Sequence, residues 1–342
     1  MPDTKQSNTP IWKPSCSLEA IKTRAEVYAL VRDFFYKRQV LEVETPLLSR
    51  STATDPYLES IPASVCISQG LAACQYYLHT SPEFPMKRLL ASGSGAIYTI
   101  CKTFRNAETG CRHNPEFTML EWYRPDFDMS QLMIEVNALL KEVLNYPQQA
   151  LNKLSYREVF LQYLGIDPFL ASDAQLICLA EEKAGYSTQS QSESPASRDD
   201  YLNVLLSICI EPFLGQSDNG EIEPVFLYGY PPSQASLAKL TQDEFGQEVA
   251  ERFEVYIKGL EVANGYFELT DAKEQRIRFE RDNAQRLALN LPSIPIDENL
   301  LSALHKGMPE CSGVALGMDR LLMIKLNAKS IEEVISFPVT RA

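Results

Sequence analysis

Two runs of alternating apolar residues, separated by a polar segment, constrain the fold of this chain more than any other feature. Apolar side chains alternate along residues 98–104 and again along 118–122, and residues 105–116 between them are mostly polar. This pattern predicts two strands joined by a polar loop. The repeat of two places Arg105 on the face opposite Phe104. On the second strand it places four side chains on one face: Phe117, Met119, Glu121 and Tyr123.

That face of the second strand combines an aromatic ring with a carboxylate, and Arg105 adds a cation nearby. An unpaired charge among apolar neighbours costs several kcal/mol, so a packing surface has little use for this mixture. A pocket that holds a phosphate, a purine and an amine would use the cation, the ring and the carboxylate. We therefore predict a binding site on this face.

Length, charge and cysteine usage limit the class of protein. A chain of 342 residues buries roughly three quarters of its unfolded surface and forms one large domain or two smaller ones. No apolar run approaches the roughly 20 residues that cross a bilayer, and the N-terminus does not resemble a signal peptide. The eight cysteines are scattered singly, which favours reduced thiols in the cytoplasm over disulfides or zinc. A net charge of −13 argues against a broad electrostatic grip on nucleic acid.

The predicted organisation is a polar N-terminal arm over residues 1–17 and one folded domain over residues 18–342. A segment near 187–200, rich in Ser, Gln and charge, is predicted to be a flexible surface insertion; the alternative is a passive linker. Strands and helices do not alternate regularly. This favours an α+β fold, with a mainly antiparallel β-sheet flanked by helices, over a doubly wound sheet.

Hydrophobic periodicity places individual elements along the chain. Apolar residues at helical spacing predict a helix from Leu18 to Phe35, and a strand follows over residues 41–46 until proline stops it. These two elements form either a dimer element or an ordinary edge strand, and the residues leave both interpretations open. The other predicted elements are helices at 82–90, 130–146, 173–184 and 271–289, strands at 223–230 and 250–258, and a strand followed by a helix within 313–326.

A second polar cluster lies at residues 259–271, where Glu261 and Glu268 stand on either side of an Asn264-Gly265 turn. Mg²⁺ bound to nucleotide phosphates commonly uses one or two carboxylates. The two glutamates therefore suit a magnesium–ATP site. Alternatively, Glu268 binds a substrate ammonium group, or the segment is a solvated hairpin that binds nothing.

A third cluster lies at residues 313–322, where Gly313 and Gly317 allow close approach of a ligand or backbone and Arg320 opens an apolar helix. The alternative is a capped helix start with a surface pair between Asp319 and Arg320. The chain has no GxxxxGK[ST] loop and no strand–GxGxxG–helix pattern. An ATP site would therefore bind phosphates through arginines. No Ser/His/Asp pattern supports a hydrolase.

Together, the three clusters resemble the signature motifs of class II aminoacyl-tRNA synthetases, most closely those of the lysine branch. Residues 38–46 (RQVLEVETP) resemble motif 1, residues 104–123 resemble motif 2, and residues 313–320 (GVALGMDR) resemble motif 3. The resemblance extends over residues 18–342 and implies a class II synthetase catalytic core. Two further matching segments are TSPE at 80–83 and NGYFELTDA at 264–272.

Shorter features narrow the resemblance within the lysine branch. The chain starts directly on the catalytic core, so we expect no anticodon-binding barrel before it. The segments CSGVALG at 311–317 and PPSQASLA at 231–238 are similar to those of paralogues that modify a lysine of elongation factor P. Ala315 stands where lysyl-tRNA synthetases usually carry glycine. Its methyl group would reshape the amino-acid pocket in favour of a β-amino acid.

The resemblance implies a role for each matching residue. Arg105 would bind the α-phosphate of ATP and the substrate carboxylate, Arg320 would bind the terminal phosphates, and these two arginines would be catalytic. Phe117 would stack on adenine with Arg320 on its other face, and Gly317 would admit the ribose. The remaining ATP-binding residues implied are Asn106, Glu108, His113, Asn114, Glu261 and Val262.

The resemblance also implies an amine pocket and a metal site. Glu83 would receive the backbone-side amine of the substrate. Glu261 and Glu268 would hold Mg²⁺, so ATP and Mg²⁺ are the expected cofactors. The other substrate-binding residues implied are Ser81, Glu121, Tyr123, Glu268 and Ala315.

Two residues depart from the family pattern. Gln39 stands where a glycine usually precedes the motif 1 strand, and we expect it to alter the end of the helix slightly. Ala107 stands where a glutamate usually follows Arg-Asn in motif 2 and contributes to ATP binding. We expect weaker ATP binding as a result, but not loss of activity, because both arginines remain.

The resemblance implies an ATP-dependent, AMP-forming ligase. It would activate a lysine-like amino acid, (R)-β-lysine, and transfer it to the ε-amine of a lysine on elongation factor P. We expect a cytoplasmic homodimer, formed through motif 1, whose partners are elongation factor P and the free amino acid, without a membrane or tRNA. Two alternatives stay open: a lysyl-tRNA synthetase-like core that acts on tRNA, and a non-catalytic synthetase-like binding protein.

Overall fold

The computed structural model describes residues 10–69, 71–147, 150–186, 196–217 and 220–342. The strands are β1 (Leu41–Glu42), β2 (Leu48–Ser49), β3 (Ile61–Val65), β4 (Cys74–Leu78), β5 (Ile97–Phe104), β6 (Glu116–Pro125), β7 (Asn152–Ser155), β8 (Val225–Tyr230), β9 (Leu240–Gln242), β10 (Glu248–Ile257), β11 (Leu260–Phe267) and β12 (Cys311–Gly317). The helices are α1 (Leu18–Lys37), α2 (Glu83–Ala91), α3 (Met129–Leu144), α4 (Tyr156–Leu164), α5 (Asp173–Ala184), α6 (Arg198–Leu205), α7 (Ala272–Ala288), α8 (Glu298–Lys306) and α9 (Met318–Leu326). Within these described ranges, no helix combines the length and apolar character that a membrane span requires.

A mainly antiparallel sheet forms the centre of the described structure. Its strands follow the order β1-β5-β6-β12-β11-β10-β8-β7, and β9 pairs with β10. Strand β1 runs parallel to β5 and β7 runs parallel to β8, whereas the other neighbours are antiparallel. Strands β2, β4 and β3 form a second antiparallel sheet. This architecture confirms the predicted α+β fold.

Helices α1, α3 and α9 bury one face of the central sheet. Trp122 on β6 and Phe35 on α1 are fully buried there, and the Phe35 ring stacks on Tyr98 with 4.4 Å between ring centroids. Burying such side chains stabilises the fold by about 1.5–3 kcal/mol each. Because side chains alternate along a strand, Glu121 and Tyr123 lie on the other face of β6. This arrangement confirms the face predicted from the sequence.

A second core lies between helices α4 to α6 and the β7–β8 end of the sheet. Several helices begin at a capping box, which consists of two hydrogen bonds. The side chain of the residue before the helix accepts a hydrogen bond from the backbone N–H of the third helical residue, and the side chain of that third residue accepts one from the backbone N–H of the capping residue. These capping boxes satisfy backbone N–H groups that have no partner within the helix, and they explain where the helices begin. The pairs are Asp128 with Gln131, Ser155 with Glu158, Ser172 with Gln175, and Ser197 with Asp200.

Most predicted elements are confirmed, with boundaries shifted by a few residues. The strand predicted over 41–46 is much shorter, because only Leu41–Glu42 pair with β5 before the chain leaves the sheet. The predicted Asn264-Gly265 turn is wrong. Both residues lie inside β11, where they pair with β10 on one side and with β12 on the other.

The two predicted peripheral segments are only partly described. Residues 1–9 of the arm lie outside the described residues, and so do residues 187–195 of the insertion. Ser15 is attached to the C-terminal segment, since its backbone N–H donates to Ser336 O at 2.8 Å and its hydroxyl donates to Ile335 O at 2.7 Å. Residues 198–200 already belong to α6. The domain boundaries themselves stay a prediction.

Candidate active site

A cavity of about 800 Å³ opens on the face of the sheet that α1, α3 and α9 leave uncovered. Strands β6, β11 and β12 supply its floor, and α2, the loop after β5 and the start of α9 contribute to its walls. Of the predicted site residues, the structure brings fifteen to this cavity: Ser81, Glu83, Arg105, Glu108, His113, Asn114, Phe117, Glu121, Tyr123, Glu261, Val262, Glu268, Ala315, Gly317 and Arg320.

Asn106 is the predicted residue that the structure places elsewhere. It is exposed and does not belong to the cavity lining, and its backbone N–H donates to Glu59 O at 2.8 Å. The prediction of an ATP contact by its side chain is therefore not supported. Asn114 reaches the cavity, but its amide is already engaged. Its Nδ2 donates to Glu116 O at 2.6 Å and its Oδ1 accepts the Val339 N–H at 3.0 Å.

The first cationic group of the cavity is Arg105, directly after β5. Its backbone N–H donates to Pro115 O at 2.9 Å, which closes the polar loop. Its guanidinium lies 5.2 Å from the centre of the Phe117 ring, a distance at which a cation attracts an aromatic face. The two side chains therefore place a positive charge close to an aromatic ring in the cavity.

The loop after Arg105 brings the carboxylate of Glu108, the residue after Ala107, close to Arg105. Ala107 adopts a left-handed backbone conformation with φ of 59° and is exposed. The turn directs Glu108 back to the cavity, where its Oε1 lies 3.7 Å from Arg105 Nη1. Glu108 therefore supplies a carboxylate beside Arg105. The expected weakening of ATP binding stays a prediction.

The second cationic group is Arg320 in the first turn of α9. Its Nη1 donates to Glu261 O at 2.9 Å and lies 3.2 Å from Glu261 Oε2, and its Nη2 lies 2.7 Å from His113 Nε2. Burial and the charge of Arg320 lower the pKa of His113. The neutral ring accepts a hydrogen bond from the guanidinium through Nε2.

Asp319 anchors the start of α9 and does not pair with Arg320. Its carboxylate is buried, lies 2.5 Å from Arg24 Nη2 on α1, and accepts the Thr118 N–H of β6 at 2.6 Å. The alternative of a surface pair between Asp319 and Arg320 is therefore wrong. Because three elements meet at Asp319, Arg320 enters the cavity from a fixed position.

The opposite end of the cavity holds buried carboxylates. Glu121 Oε1 accepts a hydrogen bond from the Tyr123 hydroxyl at 2.7 Å, and its Oε2 accepts one from Ser81 at 2.8 Å. Burial, followed by the nearby charge of Glu83, raises the pKa of Glu121 to about 8. A ligand ammonium would reverse this effect because it favours the ionised carboxylate.

Gly313 on β12 leaves the space that this end of the cavity needs. It lies opposite Tyr123 in the sheet. A Cβ at this position would lie 2.4 Å from a Tyr123 ring carbon and 2.5 Å from Glu268 Oε1, closer than real Cβ contacts. The residue must therefore be glycine for both side chains to keep their places. Two residues further along β12, Ala315 lies between Glu121 of β6 and Asn264 of β11.

The predicted magnesium pair is not brought together. Glu261 contacts Arg320, whereas Glu268 lies one residue beyond β11 with its Oε2 2.6 Å from Lys87 Nζ. Seven residues of extended chain span about 20 Å, and Mg²⁺ holds its oxygen ligands at about 2.1 Å. The two carboxylates therefore cannot hold one ion between them. Glu268 instead lies with Glu83 at Lys87, at the end of the cavity that holds Glu121.

A different carboxylate lies beside Glu261. The β10–β11 pairing shifts register between Val255 and Tyr256, so that Glu254, Tyr256, Glu261 and Asn264 face the same cavity. Burial and then the charge of Glu254 raise the pKa of Glu261. Of all the described residues, none belongs to a cluster of three or more potential metal-binding side chains. An ion shared with a ligand's phosphates would have Glu261 as its protein ligand.

Sequence reasoning missed Glu254 and its partners. Glu254 accepts hydrogen bonds from the Tyr230 hydroxyl at 2.6 Å and the Tyr256 hydroxyl at 2.5 Å, and Arg252 Nη2 lies 2.5 Å away. A glutamate inside the apolar run of β10 is the signal that could have revealed it, because a buried charge needs partners. Lys87 was also missed, although it follows Glu83 at the helical spacing of four.

Comparison with known proteins agrees with the motifs. A family model of class II tRNA synthetases (D, K and N) matches residues 12–341. A protein of Proteus mirabilis (strain HI4320) named Elongation factor P--(R)-beta-lysine ligase is 50% identical over 97% of this chain and 98% of its own length. Proteins of the same name from Pectobacterium carotovorum subsp. carotovorum (strain PC1) and Salmonella typhi are each 48% identical over 98% of this chain and 100% of their own lengths. The chain therefore belongs to the class II tRNA synthetase family of the D, K and N type.

Proposed function

We propose that this protein uses ATP to activate a lysine-like amino acid, (R)-β-lysine, and transfers it to the ε-amine of a lysine on elongation factor P. One observation carries the chemistry: in a single cavity, the guanidinium groups of Arg105 and Arg320 lie apart from the carboxylates of Glu83, Glu121 and Glu268. This polarity suits a substrate with a carboxylate at the phosphate end and ammonium groups at the far end. The names of relatives about 50% identical over nearly the whole chain support the acceptor.

The arginine end supports nucleotide binding. Arg105 places a cation next to the aromatic ring of Phe117. The cation suits a phosphate group, and the ring suits a purine. Arg320 projects from the start of α9 into the same space, and Gly317 precedes it without a side chain. A guanidinium binds two phosphate oxygens through its planar fork, which an ammonium does not. ATP is therefore the proposed energy source.

The donor set beside Arg320 fits magnesium bound to nucleotide phosphates. Mg²⁺ usually keeps several waters and takes one or two protein carboxylates together with substrate phosphates. Glu261 would hold the ion, whereas the neighbouring Glu254 is already paired with Arg252. When bound, the ion would supply additional neutralisation of phosphate charge.

The reaction consists of two displacements. A carboxylate oxygen of the amino acid attacks the α-phosphorus of ATP, and the bond to the leaving pyrophosphate breaks. The neutral amine of the acceptor lysine then attacks the acyl carbon, the bond to AMP breaks, and the amine loses one proton. Arg105 neutralises charge on the α-phosphoryl oxygens in the first step, where preorganised donors contribute most.

The state and location of the protein are part of the same proposal. We propose a homodimer that forms through α1 and β1, where Tyr36 and Leu41 expose apolar surface. We also propose that it acts in the cytoplasm on a protein rather than on tRNA, in keeping with its net charge of −13.

Amino-acid-dependent exchange of pyrophosphate into ATP tests the activation step. We expect exchange with (R)-β-lysine that exceeds exchange with lysine, and a loss of about 10²–10³-fold in Arg105→Ala, the usual cost of one charge-stabilising donor. Arg276→Ala is the matched control, because Arg276 pairs with Glu298 outside the cavity. Absence of exchange with every amino acid would exclude an adenylate-forming enzyme. An undiminished rate in Arg105→Ala would refute the assigned phosphate contact.

A further inference from the structure

Lys87 lies behind the carboxylates of the cavity and has no part in the reaction described above. Its side chain is 1% exposed, and Nζ lies 2.6 Å from Glu83 Oε1 and 2.6 Å from Glu268 Oε2. Among the described residues, both glutamates line the cavity and Lys87 does not. The ammonium group therefore contacts the carboxylates from the side away from any ligand.

The contacts of Lys87 join two separate elements. Glu83 opens α2, whereas Glu268 follows β11 and donates its backbone N–H to Cys311 O at 3.0 Å. Each carboxylate gives one oxygen to Lys87, and the other oxygen of Glu268 lies on the side of Gly313. One buried ammonium thus fixes the orientation of two carboxylates that the backbone alone does not connect.

The charges at this end of the cavity explain what Lys87 does for recognition. Fully ionised, Glu83, Glu121 and Glu268 carry three negative charges, and Lys87 offsets one of them. Arg278 also lines the cavity, but its guanidinium is engaged by Glu274 and two backbone carbonyls. Two negative charges are left, and two ammonium groups match them. A monoamine would pair with one carboxylate and leave the other protonated or without a partner, so it would gain less from this pocket than a diamine.

We propose that Lys87 is a positioning residue that orients Glu83 and Glu268 for a substrate with two ammonium groups and sets the charge of their pocket to match it. The inference rests on the proposed function only in the identity of that substrate. Without the ammonium, the buried carboxylate of Glu268 and the partly buried carboxylate of Glu83 repel each other and turn away or share a proton, so they no longer present oxygens to the ligand. ATP binds at the other end of the cavity and does not depend on this pair.

The test compares dissociation constants for (R)-β-lysine and for ATP, each measured by titration calorimetry on the full-length chain. In Lys87→Met we expect the dissociation constant of the amino acid to rise at least about tenfold, because a buried charge pair is broken. The constant for ATP should stay within about twofold, and Lys87→Arg, which keeps the charge, should restore much of the amino-acid affinity. If Lys87→Met does not fold, Lys87→Gln tests the same difference between the effect on amino-acid binding and the effect on ATP binding.

Arg157→Met is the matched control for lost stability. Arg157 also joins two acids, with its guanidinium 3.5 Å from Asp167 and 3.4 Å from Asp243, but it lies outside the cavity. The Arg157→Met substitution should lower the melting temperature and leave the dissociation constants of (R)-β-lysine and ATP unchanged. If the wild-type protein does not bind (R)-β-lysine, the proposed function fails. If it binds but the Lys87 variants bind the amino acid equally well or more tightly, or lose both ligands in parallel, the role of Lys87 is refuted.

Discussion

The pKa of Glu121 predicts how binding of the amino acid depends on pH. Burial and the charge of Glu83 raise that pKa to about 8, so the carboxyl group of the ligand-free protein is mostly neutral at pH 7. An ammonium ligand binds the ionised form. Binding therefore requires a proton to leave below pH 8, and affinity should increase as the pH rises.

The size of the effect follows from the pKa. With a pKa of about 8, the ionised fraction falls to roughly a tenth at pH 7 and a hundredth at pH 6, so affinity weakens about tenfold and a hundredfold relative to the ionised site. Burial also raises the pKa of Glu268, to about 7, despite the charge of Lys87. This second carboxyl group adds to the slope below pH 7.

The assay is titration calorimetry with (R)-β-lysine between pH 6 and pH 8, repeated in buffers of different ionisation enthalpy to count released protons. We expect release of about 1.4 protons at pH 7, roughly 0.9 from Glu121 and 0.5 from Glu268, and a matching decrease of the dissociation constant with rising pH. In Glu121→Gln the binding should be weaker and nearly independent of pH above 7. A dissociation constant that is flat from pH 6 to pH 8, without proton release, would refute the assignment of Glu121 to the ammonium group.

Three further substitutions test single contacts. Gly313→Ala places a Cβ within 2.5 Å of the Tyr123 ring and Glu268, so we expect amino-acid affinity to fall at least about tenfold while ATP affinity is kept; equal affinity for the amino acid would show that the pocket adjusts freely. Gln39→Gly relieves a left-handed backbone conformation with φ of 57°, and calorimetric unfolding should show a gain of about 0.5–1 kcal/mol; a loss of stability would contradict the backbone argument. Ala315→Gly removes the methyl group between Glu121 and Asn264. The ratio of pyrophosphate exchange with lysine to exchange with (R)-β-lysine should increase. An unchanged ratio would show that this methyl group does not determine the choice between the two amino acids.

The arginine and aromatic part of the site was predictable from sequence because it depends on local geometry. The repeat of two along β6 fixes which side chains share a face, so Phe117, Glu121 and Tyr123 reach the cavity together. The position of Arg105 was predictable because it comes directly after strand β5. The position of Arg320 was predictable because it lies at the start of helix α9. In each case the position of the side chain follows from its own strand or helix, although the contacts of Arg320 with Glu261 and His113 join residues far apart in sequence.

The metal assignment failed because it depended on pairing between strands. The Asn264-Gly265 step predicts a turn on local preference, but tertiary pairing with β10 and β12 keeps both residues in a strand. The carboxylate beside Glu261 is then Glu254, which comes from the neighbouring strand through a shift in register. The spacing of residues along the chain does not indicate that shift in register, so the proximity of Glu254 to Glu261 could not be predicted from it. Lys87 shows the intermediate case, since its pairing with Glu83 follows helical spacing whereas its contact with Glu268 does not.

Transfer of the activated amino acid distinguishes an enzyme that modifies elongation factor P from one that aminoacylates tRNA. Purified elongation factor P and total tRNA are offered together to the protein with ATP, Mg²⁺ and labelled (R)-β-lysine, and the intact mass of the factor is measured beside the label on tRNA. We predict that elongation factor P gains one β-lysyl group on a lysine side chain, in proportion to AMP released, while tRNA stays unlabelled. Label on tRNA with an unchanged mass of elongation factor P would contradict the account.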